Sequence, residues 1–177
     1  MVQSSLSDHD LIVKARSGSD AGFAALVDRH QQAVRNFLRK IVPNSHEADD
    51  LAQETFLAAW SSLSKLEDGA KFQTWVMGIA WRKAKMTARS AVRTRERDHA
   101  WSETQDGSQK GVNELALALK QALEQLSPDQ RAAVALCLGE GWSHGDAAKA
   151  LEIPLGTLKS HVNRGRAKLM EILEDAR

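Results

Sequence analysis

Apolar residues recur every three or four positions along most of this 177-residue chain, which is the spacing of amphipathic α-helices. Tyrosine is absent and phenylalanine occurs only four times, so few of the aromatic residues that favour β-strands are present. The pattern predicts an all-α fold. Its clearest stretch begins near Ser19, ends before Pro43 and places on one face Phe23, Leu26, Val27, His30, Val34, Phe37, Leu38 and Ile41.

Capping residues indicate where the other helices of the first half begin. Ser7 and Asp10 have the spacing of a capping box before a short first helix. Ser45 is predicted to cap a third helix that runs to about Leu63. A fourth helix is expected from about Phe72, with Trp75, Ile79 and Met86 on its buried face.

Residues 99–111 lose the apolar period and are rich in Ser, Gln, Asp and Gly, a composition typical of linkers. We therefore predict two small helical domains joined by a flexible linker. The first domain covers residues 1–97, the linker 98–112 and the second domain 113–177.

The second domain contains the pattern of a helix-turn-helix. Ser127 and Gln130 are spaced as a capping box, and Ser143 is predicted to cap a short helix that ends at residues 152–154, which are Glu-Ile-Pro. A further helix is expected over residues 155–169. Two short helices with a three-residue turn are typical of DNA-binding helix-turn-helix units. The predicted core of this domain is Leu115, Leu119, Ala122, Leu123, Leu126, Val134, Leu138, Leu155, Leu158, Val162 and Leu169.

The predicted outer face of the last helix carries basic, amide and hydroxyl side chains and no carboxylate. Lys and Arg neutralise phosphates, whereas Ser, Asn and Arg also read base edges in the major groove. A helical hairpin with a solvated basic face is the alternative. The predicted DNA-reading set is Thr157, Lys159, Ser160, His161, Asn163, Arg164 and Arg166.

Charge is unevenly distributed, although the formal net charge is only +1. Residues 46–54 include four acidic side chains and no Lys or Arg, whereas residues 82–97 include seven basic side chains and one acid. Such asymmetry indicates two different partners.

The acidic segment lies on the predicted third helix, where Asp50 and Glu54 are one turn apart and Phe56 and Trp60 are four residues apart. An exposed aromatic side chain beside clustered acids is typical of a docking surface for a basic partner. Two core aromatics with a solvated acidic face are the alternative, and a carboxylate metal site is a third hypothesis. The predicted docking set is Asp49, Asp50, Gln53, Glu54, Phe56 and Trp60.

The fourth helix interleaves Trp81 with Arg82, Lys83 and Lys85. Helical geometry places Trp81 on nearly the opposite side of the axis from Ile79, outside the expected core face. Aromatic rings between cations suit single-stranded nucleic acid, because unpaired bases stack while the cations hold the backbone. A satellite core around Trp81 with solvated lysines is the alternative.

Several classes of protein are excluded by composition. No apolar run approaches the about 20 residues of a membrane span, and the N-terminus has neither the basic nor the apolar part of a signal peptide. One cysteine, Cys137, allows neither an internal disulfide nor a cysteine-based zinc site. We expect a cytoplasmic protein with no metal or cofactor and no enzymatic activity.

Four segments resemble, in the same order and spacing, bacterial RNA polymerase sigma factors of the extracytoplasmic-function group. They are DDLAQETFLAAW, TWVMGIAWRKAK, LEQLSPDQRAAVAL and GTLKSHVNRGRAKL, within a resemblance that spans Leu6 to Leu173. The resemblance implies that the first domain is sigma region two, the second is region four and the linker lies in the RNA-exit path of the polymerase. It further implies a monomeric, non-catalytic subunit that directs promoter-specific initiation. Since no inhibitory segment follows Arg177, a separate anti-sigma factor is expected to hold it inactive.

The same resemblance implies roles for the predicted sets. The docking set would bind the clamp helices of the polymerase β′ subunit, with the β subunit as a further partner, and the helix 155–169 would read the −35 element as duplex DNA. The segment that captures a flipped base of the −10 element would be Asp68, Gly69, Ala70, Lys71, Phe72 and Gln73. The residues that hold the same DNA strand would be Trp81, Arg82, Lys83 and Lys85.

Three positions depart from the family pattern. Arg82 stands where the family usually has Asn, His161 where Arg is common, and Asn163 where the residue is often larger and less polar. From the residues alone, two other classes of protein are alternatives to a sigma factor. One is a dimeric helix-turn-helix regulator with an N-terminal sensor domain that binds a palindrome. The other is a metal-dependent nucleic-acid enzyme built on Asp49, Asp50 and Glu54.

Overall fold

The computed structural model describes residues 6–67, 71–97 and 114–175, and all regular structure in these ranges is helical. The all-α prediction is therefore confirmed. The predicted linker lies outside the described residues. The helices are α1 (Asp8–Arg16), α2 (Asp20–Ile41), α3 (Ser45–Ser62), α4 (Phe72–Arg97), α5 (Glu114–Glu124), α6 (Pro128–Val134), α7 (His144–Leu151) and α8 (Leu155–Asp175). A 3₁₀ turn (Leu63–Lys65) follows α3, and a π turn (Ala135–Gly139) follows α6.

The predicted caps are confirmed with one exception. Ser7 and Asp10 form a reciprocal capping box at α1, and Ser19 caps α2. The cap of α3 is Asn44, not Ser45: its Oδ1 accepts from the backbone N–H of His46 at 2.8 Å. Ser45 is already the first helical residue, because the longer Asn side chain reaches the amides of the first turn from one position earlier.

Helices α1–α4 form an N-terminal unit around α2, which packs against α1, α3 and α4. Its fully buried side chains include Leu26, Val34 and Phe37. The prediction that Met86 is buried is wrong, since Met86 is 69% exposed. Burial along α4 ends at Ala84, and the described side chains after it are exposed or only half-buried.

Helices α5–α8 form a C-terminal unit in which α6 and α5 pack against α8. The helix-turn-helix agrees with the prediction: Ser143 caps the start of α7, α7 ends at Leu151, and α8 begins at Leu155, directly after Pro154. Leu119 and Leu155 are exposed rather than buried: α5 buries a narrow strip around Ala122, and Leu155 stands at the first position of α8. The side chain of Leu115 lies outside the described part.

Leu138 is also exposed, and the π turn gives the reason. The backbone N–H of Glu140 donates to the carbonyl of Ala135 at 3.0 Å, an i→i+5 bond that widens the last turn after α6. The wider turn breaks the three-and-four period that placed Leu138 with Val134. Val134 is buried as predicted.

The two units share one continuous apolar core, which the sequence did not predict. The main core cluster runs from Leu11 in α1 to Val162 in α8, with α4 packed on α7. Gly78 allows this close approach, because a Cβ atom there would lie 3.2 Å from the carbonyl oxygen of Ala150. In the described ranges, no helix is long and apolar enough to cross a membrane.

Candidate functional surfaces

An apolar groove of about 540 Å³ lies between α2 and α3. Its apolar wall is formed by Phe23 and Val27 from α2 and by Phe56, Leu57 and Trp60 from α3. The rings of Phe23 and Trp60 are in contact, with centroids 4.6 Å apart. Polar side chains stand among the lining residues, namely Asp20, Gln31, Arg35 and Gln53.

The predicted docking residues Gln53, Phe56 and Trp60 all line this groove. Phe56 is buried, at 8% exposure, so for this side chain the alternative of a core aromatic is correct. Trp60 is 38% exposed. Leu57 also lines the groove, is 69% exposed and was not among the predicted docking residues. Its signal in the sequence is an apolar residue that lies off the core face of α3.

The three acids of the docking set have different environments. Asp49 accepts from Arg39 of α2 at 3.2 and 3.0 Å, and this guanidinium lowers the pKa of the Asp49 carboxyl below its usual value. Glu54 accepts from Lys83 of α4 at 2.9 Å. Asp50 is exposed. Among the side chains that the structure describes, no three His, Cys, Asp or Glu residues group as metal ligands, so the metal hypothesis gains no support.

Three basic residues of α4 lie beside carboxylates of other helices or turns. Arg82 forms an ion pair with Glu152, Lys83 with Glu54, and Lys85 lies 4.0 Å from Asp129. Glu152 and Asp129 belong to the C-terminal unit.

Trp81 is buried, at 4% exposure, which corrects the expectation that it stands outside the core. The ammonium of Lys85 lies 5.2 Å from the centre of its ring, a distance at which a cation is attracted to the π face. In this arrangement Trp81 is therefore a packed side chain and not an open stacking platform.

The predicted base-capturing segment is described only in part, since Asp68, Gly69 and Ala70 lie outside the described residues. Lys71 and Gln73 are exposed. Phe72 is fully buried, with its ring centre 5.2 Å from that of His30 and 5.9 Å from that of Trp75. Phe72 thus anchors the start of α4 and does not present a ring to a base.

Arg16, which the sequence did not single out, holds the turn before that segment. Its guanidinium donates to the carbonyl of Leu63 at 3.0 and 3.2 Å and also to the carbonyl of Leu66. Leu63 begins the 3₁₀ turn, and its carbonyl also accepts from the backbone N–H of Leu66 at 3.2 Å, so Arg16 adds a second donor there and ties the turn to α1.

The outer face of α8 is close to the predicted one. Buried Leu158 and Val162 anchor the helix, while Thr157, Lys159, Asn163, Arg164 and Arg166 are exposed. Ser160 and His161 are half-buried, and the Nδ1 atom of His161 is buried with no hydrogen-bond partner in the described structure. The arrangement presents a basic and amide-bearing helix that carries no carboxylate over its first three turns.

These features define a helical protein of two units, one with an apolar groove and a basic helix and the other with a helix-turn-helix. The sequence matches Sigma-70 region 2 over residues 26–94 and Sigma-70, region 4 over residues 116–169. It is 34% identical to the RNA polymerase sigma factor CarQ of Myxococcus xanthus, over 89% of this chain and 92% of that protein. It is 32% identical to the ECF RNA polymerase sigma factor EcfG of Rhodopseudomonas palustris, over 80% of this chain and 79% of that protein.

The fold agrees with these matches. The sigma factor RpoE from Bartonella quintana, solved in complex with the anti-sigma factor NepR, superposes with a TM-score of 0.74 at 30% identity, over 88% of this chain and 98% of that one. The chain therefore belongs to the sigma-70 family, and within it to the ECF-type RNA polymerase sigma factors.

Proposed function

We propose that this sigma factor binds core RNA polymerase through the groove between α2 and α3 and directs initiation at promoters with −35 and −10 elements. Residues 1–97 serve as region two and residues 113–177 as region four. The observation that carries the proposal is the groove, because its open apolar surface is formed partly by α3, the helix that also carries the exposed acids Asp50 and Glu54.

The chemistry of the groove favours an amphipathic, basic helical partner. Leu57 and Trp60 offer apolar area, and Asp50 and Glu54 add negative charge on the same helix. Such a surface fits helices that present apolar side chains in one row and Lys or Arg beside it. The clamp helices of the β′ subunit are the partner that we assign to it.

Region four contacts the −35 element as duplex DNA. The exposed Lys159, Arg164 and Arg166 neutralise phosphates, and Asn163 stands on the same outer helix face, from which amides read base edges. Buried Leu158 and Val162 fix the orientation of this face.

Region two holds the −10 strand once it is unpaired. Lys83 and Lys85 contact the backbone, and Arg82 adds a cation where the family usually has Asn. The segment from Asp68 to Gln73 captures a flipped base, with Phe72 as its buried anchor and not as a stacking ring. Capture offsets part of the unstacking cost, which is a few kcal/mol per base. The protein transfers no chemical group in this scheme.

We further propose that a separate anti-sigma factor regulates this protein in the bacterial cytoplasm. The support is the similar RpoE structure, which was solved with NepR bound. That comparison covers 88% of this chain and therefore includes residues of both units.

Run-off transcription with purified core polymerase and a promoter library randomised at both elements tests the proposal. Enrichment of one bipartite motif at a single spacing is the expected result. Asp50→Ala is expected to abolish transcripts without loss of −35 duplex binding, whereas Glu171→Ala, which removes an exposed acid of α8, is the matched control. No transcript from a folded protein, together with selective binding to a palindrome, would instead support a dimeric regulator.

A further inference from the structure

Helix α1 contacts the chain on both sides of the proposed base-capturing segment, and none of its residues belongs to the proposed binding surfaces. Its last residue, Arg16, donates to backbone carbonyls of the 3₁₀ turn that precedes the segment. Its first residue, Asp8, reaches Phe72 at the start of α4 through His30. Only residues 67–71 lie between these two points of contact.

Arg16 fixes the side of the segment that follows α3. Its Nη2 atom donates to the carbonyl of Leu63 at 3.0 Å and also to the carbonyl of Leu66, and its Nε atom donates to Leu63 at 3.2 Å. The side chains of Leu63 and Leu66 are buried. Because a guanidinium is planar and carries several N–H donors, one arginine holds both carbonyls in a fixed arrangement. The backbone therefore leaves the 3₁₀ turn from a fixed position.

A chain of contacts from Asp8 fixes the other side of the segment. One carboxylate oxygen of Asp8 lies 2.7 Å from Nε2 of His30, and the other pairs with Arg29. His30 is 7% exposed, and its ring centre lies 5.2 Å from that of the fully buried Phe72. The carboxylate on α1 therefore orients the imidazole, and the imidazole packs against the ring with which α4 begins.

Helix α1 is held closely against α2 and can therefore act as a rigid support. Leu11, Ile12 and Ala15 are buried. At Gly22 of α2, an added Cβ atom would lie 3.0 Å from the Leu11 carbonyl oxygen and 3.0 Å from the Ala15 backbone nitrogen. The absence of a side chain at Gly22 thus allows the two helix backbones to approach each other.

We propose that α1 positions the base-capturing segment, with Arg16 and the Asp8–His30 pair as positioning residues that keep the two flanks of residues 67–71 at a fixed separation. A segment whose ends are already fixed has fewer conformations to lose when it binds a ligand, so its contacts give a higher affinity. The positioning residues touch neither the base nor the strand. The ligand, an unpaired base of the −10 strand, rests on the proposed function.

Strand binding by the complex of this protein with core polymerase tests the inference. The probe is the fluorescently labelled −10 strand that the promoter library enriches. It is compared with copies of the same strand that carry one abasic site at each position in turn. For the wild type, the abasic site at the captured position should lower affinity by about tenfold or more, the range for loss of one bound base. This ratio of affinities is the abasic penalty.

Arg16→Ala should reduce the abasic penalty to about threefold or less, because the flank at Leu66 is no longer held. Arg16 is exposed, so the variant should keep its helical circular dichroism. Lys14→Ala removes another exposed cation from the last turn of α1 and is the matched control, which should keep the full penalty. The penalty is the deciding measurement, because a general loss of stability would weaken binding of the intact and abasic strands alike.

Asp8→Asn tests the other flank. The change keeps the size of the side chain and removes the charge that holds His30 and Arg29, so the abasic penalty should fall by about two- to threefold. Asp28→Asn, which removes an exposed carboxylate of α2, is its control and should keep the full penalty. If Arg16→Ala does not fold, Asp8→Asn decides the matter.

Failure of this inference and failure of the proposed function give different results. If the wild-type complex binds every abasic strand as tightly as the intact strand, base capture is wrong and the positioning role falls with it. If the wild type has the penalty at one position, and the folded variants Arg16→Ala and Asp8→Asn keep it in full, base capture stands and the positioning role of α1 is overturned.

Discussion

The ammonium of Lys83 on α4 donates to the carboxylate of Glu54 on α3 at 2.9 Å. We propose that Lys83 contacts the promoter strand and that Glu54 contacts the polymerase, so this bond joins residues of two different binding surfaces. The two proposed surfaces therefore meet along the α3–α4 contact, and a change at one of them alters the charge seen at the other.

Lys83→Met keeps the length of the side chain and removes its charge. We expect weaker strand binding, and equal or slightly tighter binding to core polymerase, because Glu54 loses its neutralising partner. Glu54 is mostly exposed, so the free energy of unfolding should change by less than about 1 kcal/mol. Titration of labelled protein with core polymerase and chemical denaturation measure the two effects, and a loss of polymerase affinity would contradict the assignment.

Leu57→Ser removes an exposed apolar side chain from the groove. Burial of a leucine in an interface contributes about 1.5–3 kcal/mol, so affinity for core polymerase should fall about tenfold or more. The melting temperature should hardly change, since Leu57 is exposed in this structure. Val13→Ser, at a similarly exposed position on α1, is the control and should leave the affinity unchanged.

Arg164→Ala should weaken binding to −35 duplex DNA and reduce the slope of log affinity against log salt by about one, because one phosphate contact is lost. Lys168→Ala removes an exposed cation one turn further along α8 and is the matched control. Fluorescence anisotropy over a range of salt concentrations gives both slopes. Equal slopes for the wild type and Arg164→Ala would exclude a phosphate contact at this position.

Gly165→Ala should destabilise the C-terminal unit by about 1–3 kcal/mol, because an added Cβ would lie 2.6 Å from a methyl group of buried Val134. Gly156→Ala, on the same helix with nothing within 4 Å of the added atom, should instead stabilise by up to about 1 kcal/mol. Urea denaturation of both variants measures the difference. If both alanines stabilise, α6 and α8 do not pack as described.

The thiol of Cys137 should react slowly with iodoacetamide in the folded protein. Burial raises the pKa of Cys137 above its usual value of 9.0, because the thiolate is disfavoured away from water. The stability that comes from this neutral thiol is present below pH 9 and is lost as pH rises through the raised pKa. The rate of Cys137 alkylation should rise with pH, and the pH at half-maximal rate should be higher for the folded protein than for the urea-unfolded chain. Equal values for the two states would contradict the burial of Cys137.

Helix bounds and caps followed from the sequence because they depend on hydrogen bonds between residues three or four apart. Ser7, Ser127 and Ser143 each cap the helix predicted for them, and the turn before Pro154 ends α7 as expected. The outer face of α8 could likewise be assigned from its period, apart from the half-buried Ser160 and His161.

Burial and the groove could not be assigned in this way, because they depend on which distant helix covers a given face. Phe56 and Trp81 are buried, and the π turn that exposes Leu138 has no signal in the apolar period. The sequence by itself determined the helices, the helix-turn-helix and the charged segments, all of which are local properties. Only the tertiary structure decided that α4 packs on α7 and that Arg82 meets Glu152, since that contact joins residues 70 positions apart.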